Sequence, residues 1–294
     1  MTLRRVLIVL LALAVGSSCA GTSGNTKLGV GTRNSSANLL LIPIGHHYDE
    51  WNPATAETVS QFSPLKPGQP IAVATTATAI YWLGGSRVDP LIRTASLQGG
   101  ASHTILQHAG RFASLLTVDH GHLYWTVGRS ISRARINGTH VQPHYLRPHT
   151  GSAGDAATGL AASGGYLFLS QCDNDRIGRV RTVDPGVHPT IRWIVHRARC
   201  AQALAVHGSY VYWAGGTVAP VLGRAASDGR GLIQRKWVHL GRFEPVWMVA
   251  SSAGLYWTAG QRPSYLGYVS LDGSGLRNRV RKLGDGPIGV ITAR

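Results

Sequence analysis

Three features of this sequence predict an all-β fold, a six-bladed β-propeller of four-stranded antiparallel blades whose ring closes by pairing of the N- and C-terminal segments. The first is a recurring aromatic pair: Tyr81-Trp82, Tyr124-Trp125, Tyr212-Trp213 and Tyr256-Trp257, with Leu167-Phe168 in the slot between the second and third. Its members recur every 43 to 45 residues, and self-similarity at a period of roughly 20–50 residues marks a repeat architecture. The second is a turn signal, Asn137-Gly138, Asp228-Gly229 and Asp272-Gly273, at the end of an alternating apolar segment, the pattern of a tight hairpin. The third is a further short apolar segment closing each unit, as in 190–195 and 234–238. Four strands per repeat make a propeller blade.

Taken in chain order, residues 1–18 have the layout of a secretory signal: Arg4 and Arg5, the apolar run Val6 to Val15, then Gly16, Ser17 and Ser18. The run is ten residues, half of what a membrane-spanning helix of about twenty requires. Cys19 follows directly, as in the lipobox of bacterial lipoproteins, where the cysteine is acylated; Gly16 stands where that motif carries Leu. Ser18 and Ala20 also satisfy the small-residue rule for ordinary cleavage, so an anchored and a secreted product are both open. Residues 19–36, rich in Gly, Ser, Thr and Asn, read as a flexible tether, and the propeller occupies 37–294.

Within the repeats, segments such as 114–125 and 203–213 place an apolar strand, a short turn and the aromatic-pair strand in succession. Six to nine residues after the pair comes Ile131-Ser-Arg-Ala, Ile177-Gly-Arg-Val, Leu222-Gly-Arg-Ala or Leu266-Gly-Tyr-Val. Forty-three residues before Trp82 lies Leu39, opening the apolar stretch to Ile44, which makes six units. The segment 287–293 resembles a first strand with no aromatic-pair strand after it, and Leu39–Ile44 can supply that partner.

These residues resemble the YWTD repeats of low-density-lipoprotein-receptor propellers, which run Tyr-Trp-Thr-Asp, Ile-x-Arg-Ala, Leu-Asp-Gly-Ser. Tyr124-Trp-Thr126 and Tyr256-Trp-Thr258 match three of four positions, and 271–274 match in full. The motif's aspartate is replaced by Gly84, Val127, Gly215 and Ala259. The resemblance, over 71–294, implies a distant relative with that fold and carries no activity.

The formal charge of +16 fits attraction to anionic polymers or anionic lipid headgroups, and equally an arginine-rich soluble surface with no charged partner. Export and the scattering of the arginines argue against nucleic acid. With Cys19 assigned to the signal region, Cys172 and Cys200 are expected to form a disulfide in an oxidising compartment.

In propellers, loops between second and third strands and loops between blades meet at one mouth of the channel. That rule gathers Asp49, Asp173, Asp175, Arg176, Arg242, Glu244 and Asp285 as the candidate ligand site, along with Glu50, Asp89 and Asp155, so that eight of the 13 carboxylates fall on one face. Such a face could take a divalent cation, a sugar or another polar ligand, although loops are also where charged residues ordinarily sit. Asp173-Asn-Asp175 lacks the glycine and distal glutamate of a calcium loop and reads as a turn. His46-His47 reads as a solvated loop. No zinc-protease spacing, nucleophile elbow, phosphate loop or dinucleotide fingerprint is present. Two functions stay open. One is a monomeric binding or scaffold protein of the cell envelope, engaging a protein, peptide or anionic polymer. The other is a hydrolase or lyase of lactonase-like or antibiotic-lyase-like type, using a metal or a histidine base at the mouth. The missing catalytic motifs favour the first.

Overall fold

The computed structural model describes residues 39–44, 47–53, 55–62, 70–98, 101–148, 156–183, 189–216, 218–259, 264–284 and 292–293. Cys19, Asp155, Asp285 and the segments 1–18 and 19–36 lie outside the described residues. Three strands come first, β1 (Leu40–Ile44), β2 (His47–Asn52) and β3 (Glu57–Phe62). Blade I follows with β4 (Ala72–Thr75), β5 (Ala79–Gly85), β6 (Pro90–Ser96) and β7 (His103–Leu106). Blade II has β8 (Ala113–Asp119), β9 (His122–Val127), β10 (Ser130–Arg135) and β11 (Gln142–Leu146). Blade III has β12 (Gly159–Ser163), β13 (Tyr166–Gln171), β14 (Arg176–Arg181) and β15 (Arg192–His196). Blade IV has β16 (Ala203–His207), β17 (Tyr210–Gly215), β18 (Val221–Ala226) and β19 (Ile233–His239). Blade V has β20 (Pro245–Ser251), β21 (Gly254–Ala259), β22 (Ser264–Val269) and β23 (Arg277–Gly284), and the chain ends in β24 (Thr292–Ala293).

Every blade is a four-stranded antiparallel meander, and blade VI takes the order β24-β1-β2-β3. Its inner strand comes from the C-terminus, with Ala293 opposite Leu40 and Thr292 opposite Leu41. The terminal pairing expected from the sequence therefore closes the ring and leaves no open seam between first and last blades. The innermost strands touch in the cycle β4, β8, β12, β16, β20, β24 and back to β4, which sets the blade order around the channel.

Blades stack face to face, so their second strands are buried on both sides and lose the alternation of a half-exposed strand. Leu123 to Thr126 are all buried, as is every residue of β21, whereas most of β11 is exposed. Six apolar clusters result, one at each blade interface. Trp51, Trp82, Trp125, Trp213 and Trp257 are among their largest buried members, in agreement with a packing role for the repeated tryptophans.

Two repeated residue types have their cause in these interfaces. Gly267 faces Trp257 across the strand pair, and a methyl group there would run into the indole, so only glycine lets the ring lie on the backbone. At the hairpin turn, Gly229 has φ 74° and a methyl group on it would stand 2.6 Å from Ile194 Cγ2 of the preceding blade; the Asp-Gly turns thus pack blade on blade. The arginines of the third strands are struts. Arg179 donates to Ser227 O at 3.0 Å and Arg224 to Leu271 O at 3.1 Å, each crossing to the turn of the next blade. Arg133 and Arg224 also stack over Tyr145 and Trp237 at 4.1 and 4.6 Å.

Candidate functional site

The loops joining second to third strands and those joining blades are tied together at one end of the ring, the mouth. In blade I, Ala109 N–H donates to Pro90 O at 2.7 Å, Phe112 N–H donates to Arg87 O at 2.8 Å, and His108 Nδ1 meets Asp89 Oδ1 at 2.6 Å. At blades III and IV, Ala198 N–H donates to Asp175 O at 3.0 Å and Gly216 N–H to Arg199 O at 2.6 Å. The predicted Cys172–Cys200 disulfide is formed here, linking a loop within blade III to the loop that leaves it.

Asp173, Asp175, Cys172, Cys200, Arg242 and Glu244 all stand in mouth loops of blades III to V. Asp173 is exposed, whereas Asp175 is half-buried and its Oδ1 accepts the Cys200 N–H at 2.8 Å. Asp175 itself has left-handed backbone, φ 50°, so its carboxylate holds the bridged loop in shape. Arg176 opens β14, donates to Gln171 Oε1 at 2.7 Å and stacks over Trp193 at 3.7 Å. Glu244 lies with Gln202, Gly215 and Pro220 along a crevice with no room for a water molecule, and burial holds its carboxyl above the usual range. Gln202 is two residues beyond the bridged Cys200, so the half-buried Glu244 adjoins the Asp175 loop.

Asp49 departs from the expectation. It lies within β2, 3% exposed, rather than on a mouth loop, and pairs with Arg281 Nη2 of blade V at 2.5 Å. Thr58 donates to the same oxygen at 3.2 Å. Glu50 is likewise a buried strand residue. Loop placement failed here because β2 already pairs with β1 from His47, opposite Ile44, so that Asp49 lies opposite Ile42 and belongs to the strand. Asp285 lies outside the described residues. Among the described residues no group of three or more His, Cys, Asp and Glu side chains is placed to hold a metal.

With Asp49 and Glu50 removed, the described mouth loops carry Arg87, Arg111, Arg129, Arg147, Arg197, Arg199 and Arg242 against Asp89, Asp173, Asp175 and Glu244. The face is cationic. Of the ten non-glycine residues with left-handed backbone among the described residues, six lie in these loops: His108, Phe112, Asp175, Arg197, Arg199 and Cys200. Such strain persists only where surrounding bonds enforce it and concentrates at functional sites.

One arrangement was not singled out by the strand period. Gly110-Arg111-Phe112 links blades I and II, and Gly241-Arg242-Phe243 links blades IV and V, three blades apart and so on opposite sides of a six-membered ring. The two loops are built alike, for the residue before each glycine, Ala109 or Leu240, donates its N–H to a proline carbonyl, Pro90 or Pro220. In each, the arginine stacks over its own phenylalanine, at 5.0 and 5.8 Å. Phe112 is 55% exposed beside Val88 at 59% and has φ 62°, a conformation that is a genuine outlier for a bulky side chain. The sequence signal is the repeated tripeptide.

No protein-family model matches this chain, and no curated protein matches it. Among solved structures it is similar to a chain of the crystal structure of the nidogen/laminin complex, with a TM-score of 0.69, 19% identity, and coverage of 88% of this chain and 98% of that one. A computationally designed protein, Ika8, aligns with a TM-score of 0.48 and 12% identity over 87% of this chain and 74% of its own. The first likeness supports the β-propeller fold.

Proposed function

We propose that this chain is a non-enzymatic binding propeller that engages a protein partner through its mouth face. The carrying observation is the pair of Gly-Arg-Phe loops on opposite sides of the channel. Arginine and aromatic residues are enriched at protein interfaces, Phe112 is exposed and Phe243 half-buried, and the cationic surround fits an acidic, partly apolar polypeptide surface lying across the mouth. The Asp-Gly face is already committed to packing between blades. In support, the propeller it resembles in fold is one of a two-protein complex, nidogen with laminin. The reading includes export by residues 1–18, acylation of Cys19, a tether over 19–36, and action as a monomer at the outer side of the cell membrane, where an anionic polymer is the alternative partner.

The test is selection of a random-peptide display library on the immobilised full-length protein, with titration of the enriched peptides. Enriched peptides should be acidic and apolar. Arg111→Ala/Phe112→Ala and Arg242→Ala/Phe243→Ala should each weaken them about ten-fold or more, about 1.4 kcal/mol, with folding intact. Asp228→Ala should leave binding unchanged. No enrichment, or binding lost on Asp228→Ala in a folded protein while both loop variants bind normally, would refute the reading. Mass spectrometry of the mature N-terminus decides the anchor: a diacylated Cys19 supports it, and a chain beginning at Gly21 removes it.

A further inference from the structure

The mouth-side rim of blade II carries a second feature, separate from the Gly-Arg-Phe loops. A cavity of about 290 Å³ is lined by Val127, Arg129, Ser130, His144 and Arg147. Gly128 and Arg129 form the two-residue link between β9 and β10, and Arg147 follows β11 directly. Three separate chain positions thus bring two guanidinium groups and an imidazole to one opening.

The imidazole is held there by construction. Three residues of β11, 143–145, oppose Ser132 alone, a bulge in the pairing of β10 with β11. Bulges re-aim side chains. Blades IV and V have bulges of the same kind, where Lys236 and Arg279 are the central residues, yet neither of those is left-handed, whereas His144 has φ 56°. Ser130 Oγ donates to Val127 O at 3.0 Å, which directs a lone pair at His144 Nδ1, 2.7 Å away. The contact anchors the ring at Nδ1 and leaves Nε2 for another partner.

The two arginines differ from the others of the repeat. Arg133, Arg179, Arg224 and Arg281 all donate to groups in their own or the next blade. Arg129 and Arg147 have no hydrogen bond, ion pair or ring partner among the described residues, and both are exposed. Guanidinium forks match oxyanions in geometry as well as charge.

We propose that this rim cavity binds a tetrahedral oxyanion, the phosphate or sulfate group of a larger ligand, between Arg129, Arg147 and His144. Two guanidinium forks at separate chain positions, each with several N–H donors, favour an anion with three or four oxygens over a planar carboxylate with two. The volume lies at the lower end of the roughly 300–1,000 Å³ range of small-ligand sites, enough for one charged group and its immediate attachment. The inference is independent of whether the mouth engages a protein.

The experiment titrates sodium phosphate and sodium sulfate into the full-length protein at constant ionic strength, followed by calorimetry and by the His144 ring resonances. Saturable shifts at His144 are expected. Arg129→Ala and Arg147→Ala should each weaken binding ten-fold or more, while Arg230→Ala, on the opposite face, should not. Arg147→Lys should lose much of the affinity, because it keeps the charge without the fork. Repeating the titration with glycerol phosphate and glucose sulfate shows which ester is the source, since the preferred one binds more tightly than its inorganic ion. Shifts no larger than chloride produces, or unchanged affinity in the Arg129→Ala/Arg147→Ala double variant, would overturn the proposal.

Discussion

Arg281→Ala should be among the most destabilising single changes at the blade V/VI interface. The guanidinium crosses from β23 to β2, where Nη2 meets Asp49 Oδ2 at 2.5 Å and Nη1 meets Thr58 Oγ1 at 3.3 Å, and it stacks over Trp51 at 5.8 Å. Side-chain exposures are 24% for Arg281 and 4% for Asp49. Removing the arginine leaves a buried carboxylate without its cation, a change that costs about 3–5 kcal/mol, and the lost stacking adds about 0.5–1 kcal/mol. Asp49→Ala should cost less, about 1–3 kcal/mol, because the partly exposed guanidinium can turn to water. The predicted order is therefore Arg281→Ala worse than Asp49→Ala, with the double variant milder than the sum of the two. Urea denaturation of the four proteins measures this as a double-mutant cycle, with an expected coupling of about 1–3 kcal/mol. Coupling below about 0.5 kcal/mol, or equal losses in the two single variants, would refute the buried strut. If Asp49→Ala instead lowers affinity for a partner at unchanged stability, Asp49 belongs to the binding face after all.

Four further outcomes are expected. Gly267→Ala should destabilise by about 1–3 kcal/mol through overpacking against Trp257, read from the denaturation midpoint, and an unchanged midpoint would contradict the close approach. Thiol titration of the unfolded, unreduced protein should find neither Cys172 nor Cys200 reactive, and replacing both with serine should cost about 3–4 kcal/mol on the chain-entropy model. Glu244 is held above its ordinary carboxylate range by burial, so the folded protein keeps its proton longer; stability should fall as pH rises past the unfolded value, and Glu244→Gln should remove that decline. Tyr256 is pushed up to about 12, mainly by burial, so its ultraviolet titration should lag behind the exposed tyrosines, and the stability linked to its neutral form should be lost as pH climbs from about 10.

The sequence discloses the ring because each blade repeats the same local compromise. Tyr124-Trp125 and Tyr256-Trp257 are apolar on both faces since blades cover both faces, and Asp228-Gly229 needs a left-handed glycine that also fits against Ile194. Such demands recur once per blade and are therefore visible as a period. The disulfide was legible by elimination among three cysteines. Asp49 was misplaced because the first complete-looking hairpin departs from the repeat, and a strand beginning at His47 with Tyr-Asp-Glu reads as a polar loop. The Arg281 partner that makes the burial tolerable is 232 residues away, beyond any local pattern. Local features such as the φ of Phe112, in one loop, and of His144, in one strand bulge, occur once and leave no periodic trace.

Net charge is the signal most easily misread in this chain. A formal +16 suggests a surface in search of polyanions, yet several arginines face inward along the ring: Arg179 and Arg224 cap carbonyls of the next blade, and Arg281 neutralises Asp49. Those cations are internal to the architecture and contribute little to recognition, as partly buried guanidinium groups with fixed partners have neither freedom nor exposed donors to offer. The arginines proposed to act in recognition are those exposed on the mouth loops. At the mouth they form two groups with different chemistry, Arg111 and Arg242 each laid over a phenylalanine, and Arg129 and Arg147 set around His144. An arginine stacked on a phenylalanine would suit a mixed apolar and acidic surface, whereas two exposed guanidinium forks beside an imidazole would suit a compact anion. On the two proposals, the same excess charge divides into a structural share and two recognition surfaces, and variants chosen by that division separate their effects.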